Sequence, residues 1–527
     1  MKVTTGKGQQ GSLSAVEVEA WLVERLKGVA GATSEVDVEA PFDTLGVDSA
    51  EAVAIVGDLE LLIGRDLDAT LIYSYPTIVA LAEHLSDAGA QVQQPPAPRE
   101  LPRDEPIAIV ALGCRFPGAA NPARLWELLA GGTDAVSEVP GERWDPDEVA
   151  AAAGVDPARL RHGGFLERVD AFDPDFFGIS PFEAAQMDPQ QRLMLEVAWE
   201  ALEGASIPPS ALRKNRVGVW IGVSTGDYGH LQLAGHGGSG RYASTGTALS
   251  IVANRLSYVL DARGPSVVVD TACSSSLVAV HMACQSLRSG EVDTALAGGV
   301  NVILAPQVSV SMASLGALSP SGRCRAFDAK ADGLVRGEGA GVIVLKRLSA
   351  AVSAGDRPLA VIRGSAINND GRTNGLTAPS GRGQEEVIRA ALKRSRVRPA
   401  EVQYVEAHGA GTQLGDPIEA AALGRVLGSD RQLGDLCGLG SVKTNFGHLE
   451  AAAGIAGLLK TSLAIEKRQI PPSLHFASPN QHIPFDLLPL RVQTELGPWP
   501  RSEDDLLAGV SAFGFGGTNA HLVLSEP

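Results

Sequence analysis

The stretch GPSVVVDTACSSSLVAV, residues 264–280, sets a thiol where the chain changes structure. The β-branched residues Val267, Val268 and Val269 predict a strand that stops at Asp270, and the apolar run after Cys273 predicts a helix. A thiol in the first turn of a helix meets unpaired N–H groups and the positive end of the helix dipole. Both favour thiolate, so Cys273 is expected to be an acidic nucleophile for acyl chemistry. Cys114, in a predicted strand, and Cys284, on the apolar helix, read instead as buried structural thiols.

Two histidines occupy comparable junctions. VQYVEAHGAGTQLGDPIEA predicts a strand ending at His408, then a Gly-rich loop and a helix. SVKTNFGHLEAAAGIAGLLK places Lys443 and His448 ahead of an Ala-rich helix. Neither histidine has the spacing of a zinc-binding helix, and the five cysteines are too dispersed for a metal or disulfide framework, so no metal is expected. GVSTG at 222–226 matches the G-x-S-x-G serine-hydrolase elbow, but DYGHLQL after it is a poor helix start, which argues against a hydrolase at Ser224. GLGSVKT fails the phosphate-loop spacing.

Nearer the N-terminus, FDTLGVDSAEAV puts Ser49 at the start of a helix. Alone, this is a helix cap. Here acidic residues (Glu51, Asp58, Glu60) flank the helix's apolar positions Val53, Val56, Leu59 and Ile63.

The elements around these residues divide the chain. A sequence of 527 residues exceeds one hydrophobic core. Residues 1–90 hold 15 acidic against 5 basic side chains, a local net charge of −10. The expected organisation is a flexible segment over 1–13, a small all-helical bundle over 14–90, a Pro/Gln-rich linker over 91–103, and a large α/β domain over 104–527. Val18, Leu22, Leu26 and Val29 predict the first helix, stopped by Gly31; TIVALAEHL predicts the last, after Pro76. IAIVALGCRFPG predicts a buried strand. A strand followed by a candidate catalytic residue occurs more than once, so the large domain hints at a duplicated half. The overall charge of −17 argues against nucleic acid as a partner. No apolar run reaches membrane-spanning length and the start is unlike a signal peptide, so a cytoplasmic protein is expected.

The Ser49 motif and YPTIVALAEHL resemble the acyl carrier protein family over about residues 14–88. The resemblance implies a four-helix bundle with 4′-phosphopantetheine on Ser49, attached by a phosphopantetheinyl transferase. DTACSSS, EAHGAGTQLGDPIEA and KTNFGHLEAAAG, in that order, resemble the cysteine and two histidine motifs of the β-ketoacyl synthases of modular polyketide synthases. FFGISPFEAAQMDPQQRLMLEVAWEAL and SAFGFGGTNAHLVL extend that resemblance from about 104 to 527.

The second resemblance implies a thiolase-like αβαβα fold, a homodimer, and polyketide chain elongation by decarboxylative Claisen condensation. Cys273 would take an acyl chain from a carrier thioester. His408 and His448 would stabilise the enolate formed when a malonyl-type extender loses CO₂, with Lys443 orienting and charging their site. Thr412 and nearby glycines would line the pantetheine arm. Phe513, Phe515 and Gly516 belong to a loop that would border the acyl pocket, although a buried aromatic between flexible glycines is an equal reading. Two departures stand out: Ala410 where the family usually has Thr, and Leu334 where an aromatic is common. Ala410 leaves open a non-elongating relay of acyl groups between carriers. No acyltransferase or reductase pattern follows the synthase, so extender loading is expected from elsewhere, or the chain is a piece of a longer synthase.

Overall fold

In the computed structural model, the described residues are 13–27, 36–42, 44–47, 49–64, 67–68, 71–86, 104–213, 215–234, 240–432, 434–501, 503 and 505–527. The expected 91–103 linker, residues 1–12, Val29 and Gly31 lie outside them. The chain forms two compact units, Met1–Arg99 and Glu100–Pro527.

Among its described residues the first unit holds four helices: α1 (Ala15–Lys27), α2 (Ser49–Ile63), α3 (Leu71–Ser74) and α4 (Ile78–Ser86). Ser14 and Glu17 form a reciprocal capping pair at α1: the N–H of Ser14 reaches Glu17 Oε2 at 2.8 Å and the N–H of Glu17 reaches Ser14 Oγ at 3.4 Å. Val18, Leu22 and Leu26, four residues apart, face Ile78, Leu81 and Leu85 of α4 in one core. On α2 the inward positions are Ala52, Ile55, Val56 and Leu59. The expected stripe is therefore corrected: Val53 is 54% exposed, because α2 is apolar on more than one face and its pattern leaves the buried side open.

The second unit is built on eleven strands: β1 (Ile107–Arg115), β2 (Val217–Gly222), β3 (Ser266–Val269), β4 (Thr294–Asn301), β5 (Gly339–Arg347), β6 (Ala360–Asn369), β7 (Tyr404–Glu406), β8 (Cys437–Gly440), β9 (Leu490–Val492), β10 (Leu507–Phe513) and β11 (Thr518–Ser525). Their spatial order is β9-β8-β7-β10-β11-β6-β1-β5-β4-β2-β3. Two halves meet where β1 pairs briefly with β6, Ile107 opposite Ile362. With β9 set aside as an added edge strand, chain order across the sheet in each half runs third, second, fourth, fifth, first. The first three of these are mutually parallel, and the fifth strand is antiparallel to both neighbours. The hinted duplication is thus a repeated five-strand topology.

Each half sends a helix inward after its third strand. Ser275–Ser289 follows β3, and Ala453–Lys467 follows β8 by way of two short turns. These helices pack on each other and are buried along most of their length, as helices without a polar face must be. Small residues permit the approach: a Cβ on Gly454 would stand 2.6 Å from Leu277 Cγ. Pro189–Gly204 and Ser250–Leu260 cover the outer face of the first half, and Gly381–Ser395 and Gly415–Leu427 that of the second. The result is five layers, αβαβα.

Candidate active site

The Cys273 elbow is a single short 3₁₀ turn, Ala272–Ser274, between β3 and the Ser275 helix. Ala272 has φ +56°, a left-handed conformation that costs a non-glycine residue about 1–3 kcal/mol. Its N–H donates to Asp270 Oδ1 at 3.0 Å. A second loop closes on the elbow from the end of β10. Gly514 comes so near that a Cβ there would lie 2.3 Å from the Thr271 carbonyl oxygen. That approach brings the N–H of Phe515, beside the N–H of Cys273 itself, onto the sulfur. Two converging N–H groups form a site for a developing oxyanion.

The expected acidic thiol is corrected. Burial pushes the Cys273 thiol up to about 11; the Glu450 carboxylate adds to the shift, while Lys443 and the two N–H groups oppose it. Helix-end geometry is present, but loss of hydration outweighs it. At neutral pH the sulfur is a thiol that must lose its proton during attack.

His408 lies two residues beyond β7, and His448 in the turn before the Ala453 helix; their ring centroids are 5.4 Å apart at 74°. Nδ1 of His408 accepts the N–H of Phe513 at 3.3 Å, and Nδ1 of His448 accepts the N–H of Glu450 at 2.8 Å. An imidazole that accepts at Nδ1 carries its proton on Nε2 when neutral. Burial, with Lys443 nearby, holds both rings well below the ordinary histidine range, so they are neutral. Nε2 of His448 is buried and has no hydrogen-bond partner among the described residues. The turns holding Cys273 and Glu450 pack together, so thiol and imidazoles share one region.

Four charged residues that sequence reasoning passed over build this wall. Glu419 accepts the N–H groups of His408 (2.7 Å) and Gly409 (2.8 Å), and burial pushes its carboxyl up to about 7. Asp416 accepts from Phe327, Gly411 and Thr412, and burial pushes it to about 6. Both stand in GDPIEA at the start of Gly415–Leu427, a pair of acids too apolar in neighbourhood to be surface charges. Lys443 donates Nζ to the carbonyl of His408; burial lowers its pKa, opposed by Glu406 and Glu419. Glu450 pairs with buried Arg336 at 2.5 Å, and Arg336 also reaches Ser309. The close pairing of Arg336 with Glu450 crosses 114 residues, which no local pattern reveals.

Thr412 is half-buried; its Oγ1 accepts the N–H of Gly415 at 3.1 Å, leaving its proton free to donate. Ala410 is buried. Leu334 is half-buried and packs with Leu318. Phe513 is buried 5.8 Å from His408 between centroids, whereas Phe515 is 59% exposed and Gly516 is open. A helix does form at Asp227–Ala234, against expectation. Ser224 nonetheless gives its hydroxyl to Asp270 at 2.7 Å and approaches Ser275, with no histidine among its hydrogen-bond partners. Cys284, Cys324 and Cys437 are buried, their thiols pushed up to about 11, 12 and 12 by burial; Cys114 is raised further still. Among the described residues no group of ligating side chains has metal-site geometry, and no helix is long and apolar enough to cross a membrane.

Comparison with known families decides the assignment. The β-ketoacyl synthase N-terminal domain matches residues 104–351, its C-terminal domain 359–477, and the ketosynthase C-terminal extension 479–527. The chain belongs to the β-ketoacyl synthases. A phosphopantetheine attachment site matches residues 20–85, so this synthase has a fused carrier that takes covalent 4′-phosphopantetheine. The synthase is 51% identical over 98% of its length to one subunit of the phenolphthiocerol/phthiocerol polyketide synthase of Mycobacterium tuberculosis, and spans 28% of that relative. It is 53% identical over 80% of its length to a second subunit of the same polyketide synthase, spanning 27% of it. Its fold matches the ketosynthase from module 6 of the bacillaene synthase of Bacillus subtilis 168 (TM-score 0.75, 41% identity, covering 80% of this chain and 72% of that one). It also matches an oxazolomycin ketosynthase domain of Streptomyces albus JA3453 (TM-score 0.75, 42% identity, 80% and 74% covered). The five layers of the synthase are thus thiolase-like.

In the carrier unit, Ser49 opens α2; its side chain lies outside the described residues. The preceding loop suits an attachment point. Val47 is buried and anchors it, while Gly46 turns left-handed (φ +84°) with open space where a Cβ would stand.

Proposed function

We propose that this chain elongates polyketides: an acyl group moves to Cys273 and condenses there with a malonyl-type extender. The observation that carries the proposal is the pair of neutral imidazoles, each fixed by a backbone N–H on Nδ1, which leaves Nε2–H to donate.

In the first step Sγ of Cys273 attacks the carbonyl of an acyl thioester. The oxyanion rests on the N–H groups of Cys273 and Phe515; the donor C–S bond breaks, and the thiol proton ends on the departing sulfur. In the second step the extender's carboxylate leaves as CO₂, and the electrons of its C–C bond become an enolate. His408 and His448 donate Nε2–H to the enolate oxygen. The enolate carbon attacks the acyl–Cys273 carbonyl, a C–C bond forms, the C–Sγ bond breaks, and the thiolate takes one proton from water. Neutral imidazoles suit this step because they give hydrogen bonds without protonating the carbanion. Lys443, through the His408 carbonyl, orients the histidine wall. The hydroxyl of Thr412 supports a role for it on the pantetheine path, and we assign Phe513 and Phe515, with Gly516, to the pocket border.

Ser49 holds the 4′-phosphopantetheine, whose thiol carries an acyl chain as a thioester when bound. The acidic composition of residues 1–90 supports docking to basic partners, among them a phosphopantetheinyl transferase and other polyketide synthase modules. We take the carrier as 14–90, the linker as 91–103 and the synthase as 104–527. The outer edge of β3, with half-buried Val267 and Val268, supports a homodimer. The composition supports a cytoplasmic location.

Ala410 favours a second reading, a non-elongating relay, since the buried methyl offers extender no hydroxyl. Incubating the holo protein with an acyl donor and a malonyl thioester, then weighing products, separates the two. A β-keto product supports elongation, and acyl–Cys273 without extension supports the relay. In Ser49→Ala the mass of the pantetheine arm is not gained, yet external acyl donors still load Cys273; arm gain in that variant contradicts the assignment.

A further inference from the structure

The residue just before Cys273 is gripped at both ends of its backbone. The N–H of Ala272 donates to Asp270 Oδ1 at 3.0 Å, and its carbonyl accepts from Ser275 Oγ at 2.6 Å. Ser275 Oγ also accepts the N–H of Thr271 at 2.9 Å, so one hydroxyl ties both peptides that flank the turn. Ser224, from the loop after β2, braces the Asp270 clamp: it donates to Asp270 Oδ1 at 2.7 Å and packs 3.4 Å from Ser275 Oγ. Ser275 is fully buried, and a Cβ on Gly222 would stand 2.9 Å from its Cβ, so its hydroxyl has little room to turn elsewhere.

The held conformation is not one an alanine adopts freely. With φ at +56°, Ala272 tends to relax to the right-handed or extended region, which would swing the next residue away from the N–H of Phe515. We propose that Asp270, braced by Ser224, and Ser275 are positioning residues that clamp Ala272 in its left-handed conformation and thereby aim the Cys273 sulfur. The proposal rests on the reading of Cys273 as the acyl-accepting thiol. It also accounts for the G-x-S-x-G match at 222–226: Ser224 serves the nucleophile instead of being one.

The test uses the full holo chain with D270A, D270N and S275A, each also in an A272G background. Iodoacetamide alkylation of Cys273, followed by peptide mass, is read beside its acylation by a small acyl thioester and beside CO₂ release from a malonyl thioester. D270A and S275A are expected to slow alkylation and acylation about tenfold while CO₂ release, which needs the histidines and not the sulfur, stays within twofold. D270N, which keeps the acceptor oxygen, is expected within threefold of the parent. Glycine reaches positive φ at little cost, so in the A272G background the penalties should shrink below threefold. Alkylation within twofold of the parent in D270A and S275A would overturn the proposal, as would equal penalties in both backgrounds. D270A alone decides if S275A does not fold, because Asp270 is exposed. A parent protein that takes no acyl group would remove the ketosynthase reading, while the alkylation rates still judge the clamp.

Discussion

The backbone N–H of Glu450 donates to Nδ1 of His448 at 2.8 Å and fixes which nitrogen faces the site. If His448 supplies an enolate hydrogen bond from Nε2, His448→Ala should lower CO₂ release from a malonyl thioester about 10²–10³-fold, the usual worth of one oxyanion donor. Acylation of Cys273 should stay within a few-fold. Equal loss of both activities would assign His448 to the fold.

The raised thiol gives a distinct pH signature. With its pKa pushed up to about 11, alkylation of Cys273 should climb about tenfold per pH unit from 7 to 10 without levelling. A plateau below pH 8 would restore the acidic thiol that helix-end position suggests.

Glu419 links the His408 loop to stability. Its carboxyl is raised from 4.5 to about 7 in the fold. Across that window the folded state holds the proton that the unfolded state has lost, so this group's contribution falls as pH rises from 4.5 to 7 and is lost above it. By linkage the change is about 3 kcal/mol. Glu419→Gln does not titrate. Denaturant midpoints should therefore show E419Q gaining on the parent between pH 5 and pH 8, superimposed on a constant cost for one lost N–H acceptor. A difference that does not vary with pH would contradict the raised carboxyl.

Gly514 carries a steric prediction. Its missing Cβ would collide with the Thr271 carbonyl oxygen, so Gly514→Ala must push the 513–517 loop off the elbow. Acylation should fall about 10²-fold, as expected when a donor shifts by about 1 Å. Overpacking should cost stability about 1–3 kcal/mol. Normal acylation in this variant would show that the Phe515 N–H is dispensable.

Motif residues were legible because their chemistry is local. A thiol after a β-branched run, and histidines at strand and helix ends among glycines, stand out in a single line of sequence. The alternating strands and helices likewise give the α/β class, and the repeated strand-then-residue pattern hints at the duplicated topology. What escaped was whatever depends on burial or on distant partners. The Cys273 pKa follows burial together with Glu450 and Lys443, which lie far along the chain. Val53 faces outward because α2 is apolar on several sides and only packing chooses among them. Arg336 meets Glu450 across the fold, and Glu419 and Asp416 read as ordinary acids near a helix start until their backbone N–H partners are seen. Ser224 matched a hydrolase motif because its loop follows a strand, but only the tertiary structure sets its hydroxyl against Asp270.

The central claim is that one sulfur and two neutral imidazoles cooperate in a C–C bond formation. Holo protein loaded with an acyl group at Cys273 is given a ¹³C-labelled malonyl thioester, and CO₂ and extended product are counted together by mass. One CO₂ for each β-keto product, with Cys273 returned to its free mass, is the predicted result. Acyl–Cys273 that persists without labelled product, or that passes unextended to another thiol, would contradict it.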